Sequence, residues 1–178
     1  LPIDELQSII RDIGKPVIAR VNGFAIGGGN VFATLCDLTI AADTAKFGQV
    51  GPKVGSVDGG WGTALLARHI GDKKAREMWF LNDMYTAQQA ADMGLVNKVV
   101  PAAQLDGSVN AWTDTLAERS PTALALAKRS FNADSENIRG ISQMALNAVK
   151  LFYDTEESKE GVRAFTEKRK PDFHKYVK

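Results

Sequence analysis

Three groups of residues in this chain are of types, and at spacings, that could do chemistry. The first is the triplet Gly27-Gly28-Gly29, placed just after an apolar run and just before a helix-compatible segment. Backbone N–H groups at a helix start can hold an anion, and only glycine lets a ligand come close to them; a plain tight turn is the other reading. A dinucleotide fingerprint would need glycine where Phe32 stands, and a phosphate-binding loop would need Gly-Lys-Ser/Thr, which is absent. The second group is the glycine-dense stretch from Gly48 to Gly62, which contains Ser56 and Asp58. Such a loop can be shaped around a ligand, with Asp58 as an acid or base if partly desolvated. Asp58 can equally be a turn aspartate that stabilises its own backbone. The third is Tyr153, which follows the helical stripe Ile138, Ile141, Ala145, Ala148 and Phe152 and could be either a packing residue or a functional one.

Other reactive side chains fit blander roles. No G-x-S-x-G elbow surrounds Ser56, and His69 lies on a helical pattern beside Arg68, so a Ser-His-Asp hydrolase is disfavoured. His69 and His174 are too isolated for a metal site, and none is expected. Cys36, on the apolar segment after the glycines, reads as core packing. The Lys168-Arg169-Lys170 cluster reads as a solvated helix end from which one lysine could reach a ligand phosphate.

The elements that must position these residues follow from periodicity and punctuation. Ile3, Leu6, Ile9 and Ile10 are spaced as one face of a short amphipathic helix closed by Gly14 and Pro16. Val17 to Val21 reads as a strand ending at the Asn22-Gly23 turn. The glycine triplet, a helix over Asn30 to Cys36 and a strand at Leu38 to Ala42 come next, an order that implies parallel strands joined by a crossover helix. Beyond the glycine-dense loop, helical patterns run around Thr63 to His69 and Lys73 to Leu81, separated at Gly71. Thr86 and Gln89 form a capping-box signature before an alanine-rich helix, and Leu95 to Val100 reads as a third strand. Everything after Pro101 reads as helical, with caps at Ser120-Pro121 and at Thr155 followed by Glu156 and Glu157.

Bulk properties narrow the function classes. The 178 residues are 44% hydrophobic and 24% charged, enough for one α/β core followed by a helical third. Twenty-two Lys and Arg against 21 Asp and Glu leave no field that would draw the chain onto nucleic acid or an anionic membrane. One cysteine excludes an internal disulfide framework, which favours the cytoplasm, and no apolar run reaches the roughly 18 residues of a membrane-spanning helix. The start Leu1-Pro2-Ile3-Asp4-Glu5 has no initiator Met or signal segment and reads as an interior cut of a longer chain. Three strands are too few to cover a parallel sheet, so further strands are expected before Leu1.

Several segments together, Lys15-Pro16-Val17-Ile18-Ala19, Asn22-Gly23-Phe24-Ala25-Ile26-Gly27-Gly28-Gly29, Cys36-Asp37-Leu38, Phe47-Gly48-Gln49 and Met93-Gly94-Leu95-Val96, resemble the crotonase (enoyl-CoA hydratase/isomerase) superfamily. The resemblance implies an α/β fold built as a spiral of ββα turns, with residues 1–103 the later part of the spiral core and 104–178 a helical trimerisation region. It also implies a homo-oligomer, a trimer or dimer of trimers, and a coenzyme A thioester as substrate with no tightly bound cofactor. Gly28 would give one backbone N–H to the thioester oxygen, Phe24, Ala25, Ile26 and Gly27 would line the acyl-CoA path, and Phe165 and Lys168 would contact the CoA. Hydratases of the family carry glutamates at the positions of Val31 and Gly51, so an ordinary hydratase is not implied.

The stretch from Gly48 to Asp58 and the segment Lys74 to Trp79 resemble two subfamilies that make or break a carbon–carbon bond, the 2-ketocyclohexanecarboxyl-CoA hydrolases and the 1,4-dihydroxy-2-naphthoyl-CoA synthases. The hydrolase flavour is stronger at Gly29-Asn30 and from Glu118 to Asn132, while Asp58-Gly59-Gly60-Trp61-Gly62 is closer to the synthase. The first implies hydrolytic ring opening of a cyclic 2-oxoacyl-CoA, with Asp58 moving protons, Ser56 positioning the substrate or Asp58, and Tyr153 polarising a ketone from across a subunit boundary. The second implies an intramolecular Claisen condensation with bicarbonate held by Gln49, Gly51 and Trp79, Gly51 leaving room for the ion. A catalytically silent scaffold of the same fold is the third reading.

Overall fold

The computed structural model describes residues 3–58 and 61–177; Leu1-Pro2 and Gly59-Gly60, which entered the resemblance, and Lys178 lie outside the described residues. In chain order these residues form α1 (Ile3–Asp12), β1 (Ile18–Val21), β2 (Phe24–Ile26), α2 (Gly28–Leu35), β3 (Leu38–Ala42), β4 (Lys46–Gly48) and α3 (Gly51–Val54). A π-helical turn (Trp61–Leu65) then runs directly into α4 (Leu66–Ile70), followed by α5 (Asp72–Leu81), β5 (Met84–Thr86), α6 (Ala87–Asp92) and β6 (Lys98–Val100). The rest is helical: α7 (Leu105–Ala117), α8 (Pro121–Ala133), α9 (Glu136–Tyr153) and α10 (Glu156–Thr166).

The strands make two sheets, ordered β1-β3-β6 and β2-β4-β5. β3 lies parallel to β1, with Ile18 opposite Leu38, and parallel to β6, with Ile40 opposite Lys98. β2 and β4 are parallel, with Ile26 opposite Gly48, whereas β4 and β5 are antiparallel. The segments β1-β2-α2 and β3-β4-α3 are therefore successive ββα units, the first strand of each in one sheet and the second in the other. A short Asn22-Gly23 turn carries the chain between sheets, which strands this brief permit. The main core packs Phe47, Leu66, Met78 and Trp79 among alanines, with Ala41, Ala45, Ala87 and Ala90 fully buried. A second cluster gathers Val31, Leu35, Trp61, Leu65 and Ile138, and so ties α2 to α9.

The expected parallel unit is present, as are the capping box at Thr86 and Gln89 and the side-chain caps at Ser120 and Thr155. Among the described residues six strands occur where three were expected, because β2, β4 and β5 have three residues each, too few for period-two alternation to register. The third expected strand is shorter at its start: the N–H groups of Leu95 and Val96 both return to the Ala90 carbonyl as the chain leaves α6 through Gly94, and β6 begins only at Lys98. α2 starts at Gly28 rather than Asn30, since the Val31 N–H already reaches the Gly27 carbonyl. The glycine-dense loop contains α3, with Pro52 in its first turn. Of the expected apolar face of α1 only Ile10 packs, against the cluster around Trp61: Ile3, Leu6 and Ile9 are about half exposed, while Gln7 and Arg11 are covered. Arg11 is held there by the Trp61 ring, 4.6 Å from its guanidinium, and by bonds to the Asn132 carbonyl and Ser135 Oγ.

α10 seats on α3 through two glycines. A Cβ at Gly161 would collide with the Val54 carbonyl, and one at Gly55, which sits at φ 66°, would come within 3.0 Å of the Ser158 carbonyl. On α10, Glu160 gathers the chain that follows: it accepts from Arg169 at 2.6 Å and from the Asp172 N–H at 2.9 Å, and pairs with Lys175 at 3.5 Å. The Arg169 bond, then the Asp172 bond, lower its pKa to about 2. Gly161→Ala is expected to lose about 1–3 kcal/mol of stability in urea unfolding. Gly140→Ala, in α9 where a Cβ meets nothing within 4 Å, is expected to gain about 0.5–1 kcal/mol. Because the Glu160 pKa is depressed in the folded chain, its contribution is complete above the ordinary carboxylate range and is lost as pH falls from there towards about 2. Urea midpoints measured from pH 6 downward should fall in that window, and less steeply in Glu160→Gln.

Candidate active site

The glycine triplet is built as an open helix start. Gly27 stands at φ 56°, a left-handed position that favours glycine, and its N–H donates to the Gly48 carbonyl at 3.0 Å, which ties the turn to β4. The first N–H groups of α2, that of Gly28 among them, have no acceptor within the helix. Gly28 is exposed, and a Cβ there would meet nothing within 4 Å, so no packing in the chain demands glycine at this place. Of the residues expected to line a ligand path here, Phe24 is 82% exposed and Ile26 half-buried, but Ala25 turns inward to the core beside Phe47 and Trp79. Strand alternation makes that correction: neighbours on β2 face opposite ways.

Val50, the residue before α3, approaches this turn, with its Cγ2 3.6 Å from where a Gly27 Cβ would stand. At the other end of α3, one helical turn or about 6 Å along its axis, lie Gly55 and Ser56. Ser56 Oγ and Tyr153 Oη are 2.7 Å apart, so the structure joins two expected site residues 97 positions apart in sequence. The two hydroxyls meet within one chain, where the close α3–α10 packing brings the end of α9 over Ser56. The pair opens into a cavity of about 760 Å³ between α3 and α10, whose walls include Val54, Val162 and Phe165. Phe165 is 80% exposed; Lys168, also exposed, ends the segment at φ 54°.

Asp58 is half-buried and oriented by the following turn: Oδ1 accepts from the Gly62 N–H at 3.0 Å and Oδ2 from Thr63 Oγ1 at 2.6 Å. The turn-stabilising reading of this carboxylate is thus present, and it fixes the direction of the group for any further role. Ser56 is bonded to Tyr153, not to Asp58. Gly62 allows the arrangement, since a Cβ there would lie 2.8 Å from both Asp58 Oδ1 and Val31 Cγ2.

The expected room at Gly51 is absent. A Cβ on Gly51 would lie 2.7 Å from Trp79 Cζ3, so the indole fills that space, and the Trp79 Nε1–H donates to the Gly62 carbonyl. Both surfaces proposed to cradle an ion are used in packing. Gln49, the third member of that set, is 1% exposed with neither amide atom bonded. Val31 lies in the apolar cluster with Trp61. Cys36 follows α2, half-buried, and burial raises its thiol pKa to about 11, in keeping with an inert packing role. Among the described residues no cluster of His, Cys, Asp and Glu could hold a metal, and no helix is long and apolar enough to cross a membrane.

Sequence reasoning missed Thr63, Ser158 and Val162. Ser158 Oγ donates to the Tyr153 carbonyl at 3.2 Å and steadies the end of α9, while Val162 lines the cavity. The one available signal was Gly161, an isolated glycine inside a helical pattern, which marks a close backbone approach.

Known proteins share this fold. Residues 1–176 match the enoyl-CoA hydratase/isomerase family model. An enoyl-CoA hydratase from Mycobacterium avium subsp. paratuberculosis K-10 superposes with a TM-score of 0.89 at 29% identity, over 96% of this chain and 70% of its own. A carnitinyl-CoA hydratase from Mycobacterium avium gives 0.82 at 31% identity, over 92% and 65%. A methylmalonyl-CoA decarboxylase in complex with 2-nitronate-propionyl-CoA also gives 0.82, at 30% identity, over 97% and 67%. With the two-sheet ββα spiral and the open glycine turn, these matches establish that the chain belongs to the enoyl-CoA hydratase/isomerase family and has the crotonase fold.

Proposed function

We infer that this chain acts on a coenzyme A thioester through an enolate whose oxygen is held by the Gly28 N–H, and that its reaction is not the addition of water to a double bond. The observation that carries the second part is the filling of both hydratase glutamate positions. Val31 is packed against Trp61, Leu35, Leu65 and Ile138, and a side chain at Gly51 would strike Trp79. Neither position carries a carboxylate that could activate water for addition to a double bond.

The reaction that best uses the groups present is hydrolytic ring opening of a cyclic 2-oxoacyl-CoA, of the 2-ketocyclohexanecarboxyl-CoA type. Tyr153, oriented by Ser56, donates a hydrogen bond to the ring ketone. Water adds to the ketone carbon and gives up a proton to Asp58. The bond from that carbon to the one beside the thioester breaks, and its electron pair passes into the thioester enolate at Gly28. Protonation of the enolate carbon by Asp58 completes a dicarboxylic mono-CoA ester such as pimeloyl-CoA. Phe24, Ile26 and Gly27 flank the thioester, and Phe165 and Lys168 serve the CoA. Assembly as a trimer or dimer of trimers is supported by the open apolar stripe of Ile141, Met144 and Leu151 on α9, within the helical region 104–178.

A second reading is the intramolecular Claisen condensation of a 1,4-dihydroxy-2-naphthoyl-CoA synthase with bicarbonate as base. The unbonded amide of buried Gln49 favours it, whereas the Gly51–Trp79 contact and the engaged indole N–H do not fit such an ion.

Mass spectrometry of the CoA products decides between them. Pimeloyl-CoA is expected from 2-ketocyclohexanecarboxyl-CoA and is expected to be lost in Asp58→Asn; dihydroxynaphthoyl-CoA formed from o-succinylbenzoyl-CoA, and raised by bicarbonate, would overturn the ring-opening assignment. Gly28→Ala should fold with unchanged or higher thermal stability, since its Cβ meets nothing, yet lose about 100-fold or more in kcat by crowding the N–H donor.

A further inference from the structure

The chain reverses just beyond α10 at a lysine in an uncommon backbone conformation. The Lys168 N–H bonds to the Phe165 carbonyl at 3.2 Å and the Arg169 N–H to the Ala164 carbonyl at 3.0 Å, the paired bonds of a helix end that turns through one left-handed residue. That residue is Lys168, at φ 54°. Where other helices of the described residues end at positive φ, the residue is glycine, at Gly55, Gly71 and Gly94, or Asn82, a type that tolerates the left-handed region. Lysine does not favour it, and an outlier of this kind points to a use for the side chain. Lys168 is exposed and, among the described residues, has no carboxylate partner. Its neighbour Arg169 is bonded on two sides, to Glu160 and to Glu167.

Glu160 holds this turn. It is 2% exposed, and its carboxylate accepts from two nitrogens of the Arg169 guanidinium, at 2.6 and 3.1 Å, and from the Asp172 N–H at 2.9 Å. Lys175 adds an ion pair at 3.5 Å, and Tyr176 Oη donates to the Glu156 carbonyl at 3.0 Å, so the segment after the turn is laid back along α10. A two-point guanidinium grip on a buried carboxylate fixes direction as well as distance. We propose that Glu160 is a positioning residue for the coenzyme A thioester: by locking Arg169 and the Asp172 N–H it holds Lys168 in its left-handed turn, with the ammonium left unpaired for a phosphate, one helical turn beyond the cavity-lining Phe165. The proposal rests on the reading above, in which Phe165 and Lys168 serve the CoA. Glu160 itself carries a charge that repels phosphate, so its effect on binding through position is opposite in sign to its effect through charge.

Isothermal titration calorimetry on the full chain separates the two effects, with heptanoyl-CoA as one probe and S-heptanoyl-pantetheine, which has the same acyl group and no phosphate, as the other. The wild-type chain is expected to prefer heptanoyl-CoA. Glu160→Gln removes a negative charge, so charge alone would tighten CoA binding. Loss of position predicts instead that the affinity for heptanoyl-CoA falls about tenfold while that for heptanoyl-pantetheine is unchanged. Lys168→Gly, which suits the left-handed turn better, should melt no lower than the wild type and show the same selective loss. If Glu160→Gln does not fold, Arg169→Lys, which keeps the charge without the two-point grip, is expected to lose heptanoyl-CoA affinity in the same way. Unchanged or tighter heptanoyl-CoA binding in the lock variant, full affinity in Lys168→Gly, or an equal loss of both probes would each overturn the proposal. Equal binding of the two probes by the wild-type chain would also overturn it and leave the Gly28 reading in place, whereas binding of neither would remove that reading as well.

Discussion

The Trp79 indole touches both ends of the segment that carries Ser56 and Asp58. On one side its ring occupies the space a side chain at Gly51 would need; on the other its N–H is bonded to the Gly62 carbonyl. A buried indole contributes a large apolar area and, with its one donor satisfied, leaves no polar group unpaired. The loop from residue 51 to residue 62 therefore starts and ends on the same rigid ring, itself set in the main core by α5. Glycine at both contacts is a packing requirement, because any Cβ would push the loop off the indole. The same contact removes the place where a hydratase of this family would put a carboxylate.

From that anchored loop the rest of the site is assembled by close backbone approach. Gly55 and Gly161 let α10 lie against the end of α3, and this carries Tyr153, at the end of α9, to within a hydrogen bond of Ser56. Glu160 secures the opposite face of α10 by collecting Arg169, Lys175 and the Asp172 N–H, so the helix is held from both sides. The glycine turn at Gly27 is tied to β4 by one backbone bond and touched by Val50, which makes α3 a short bridge between the glycine turn and the hydroxyl-bearing end. Fold similarity to hydratases and to a decarboxylase is compatible with this, since the open glycine turn belongs to the spiral and the side chains around it can differ.

The sequence by itself determined the parts that depend on local chemistry. The apolar runs at β1 and β3, the Thr86–Gln89 capping box, the caps at Ser120 and Thr155 and the glycine triplet are each specified by a few neighbouring residues, and all are where their types require. The motif order was enough for the family, and the missing carboxylates at Val31 and Gly51 were visible as letters. Three-residue strands were not legible, because alternation needs a longer run, and α1 misled because, of its apolar stripe, only Ile10 packs, while Arg11 finds an aromatic ring and two oxygen acceptors. Tertiary structure alone decided that Gly51 leaves no room, that Ala25 faces the core, that Asp58 is oriented by Gly62 and Thr63, and that Ser56 meets Tyr153 rather than Asp58. Each of these turns on a contact between segments distant in sequence or on the direction of a single side chain, and the packing of whole elements sets both.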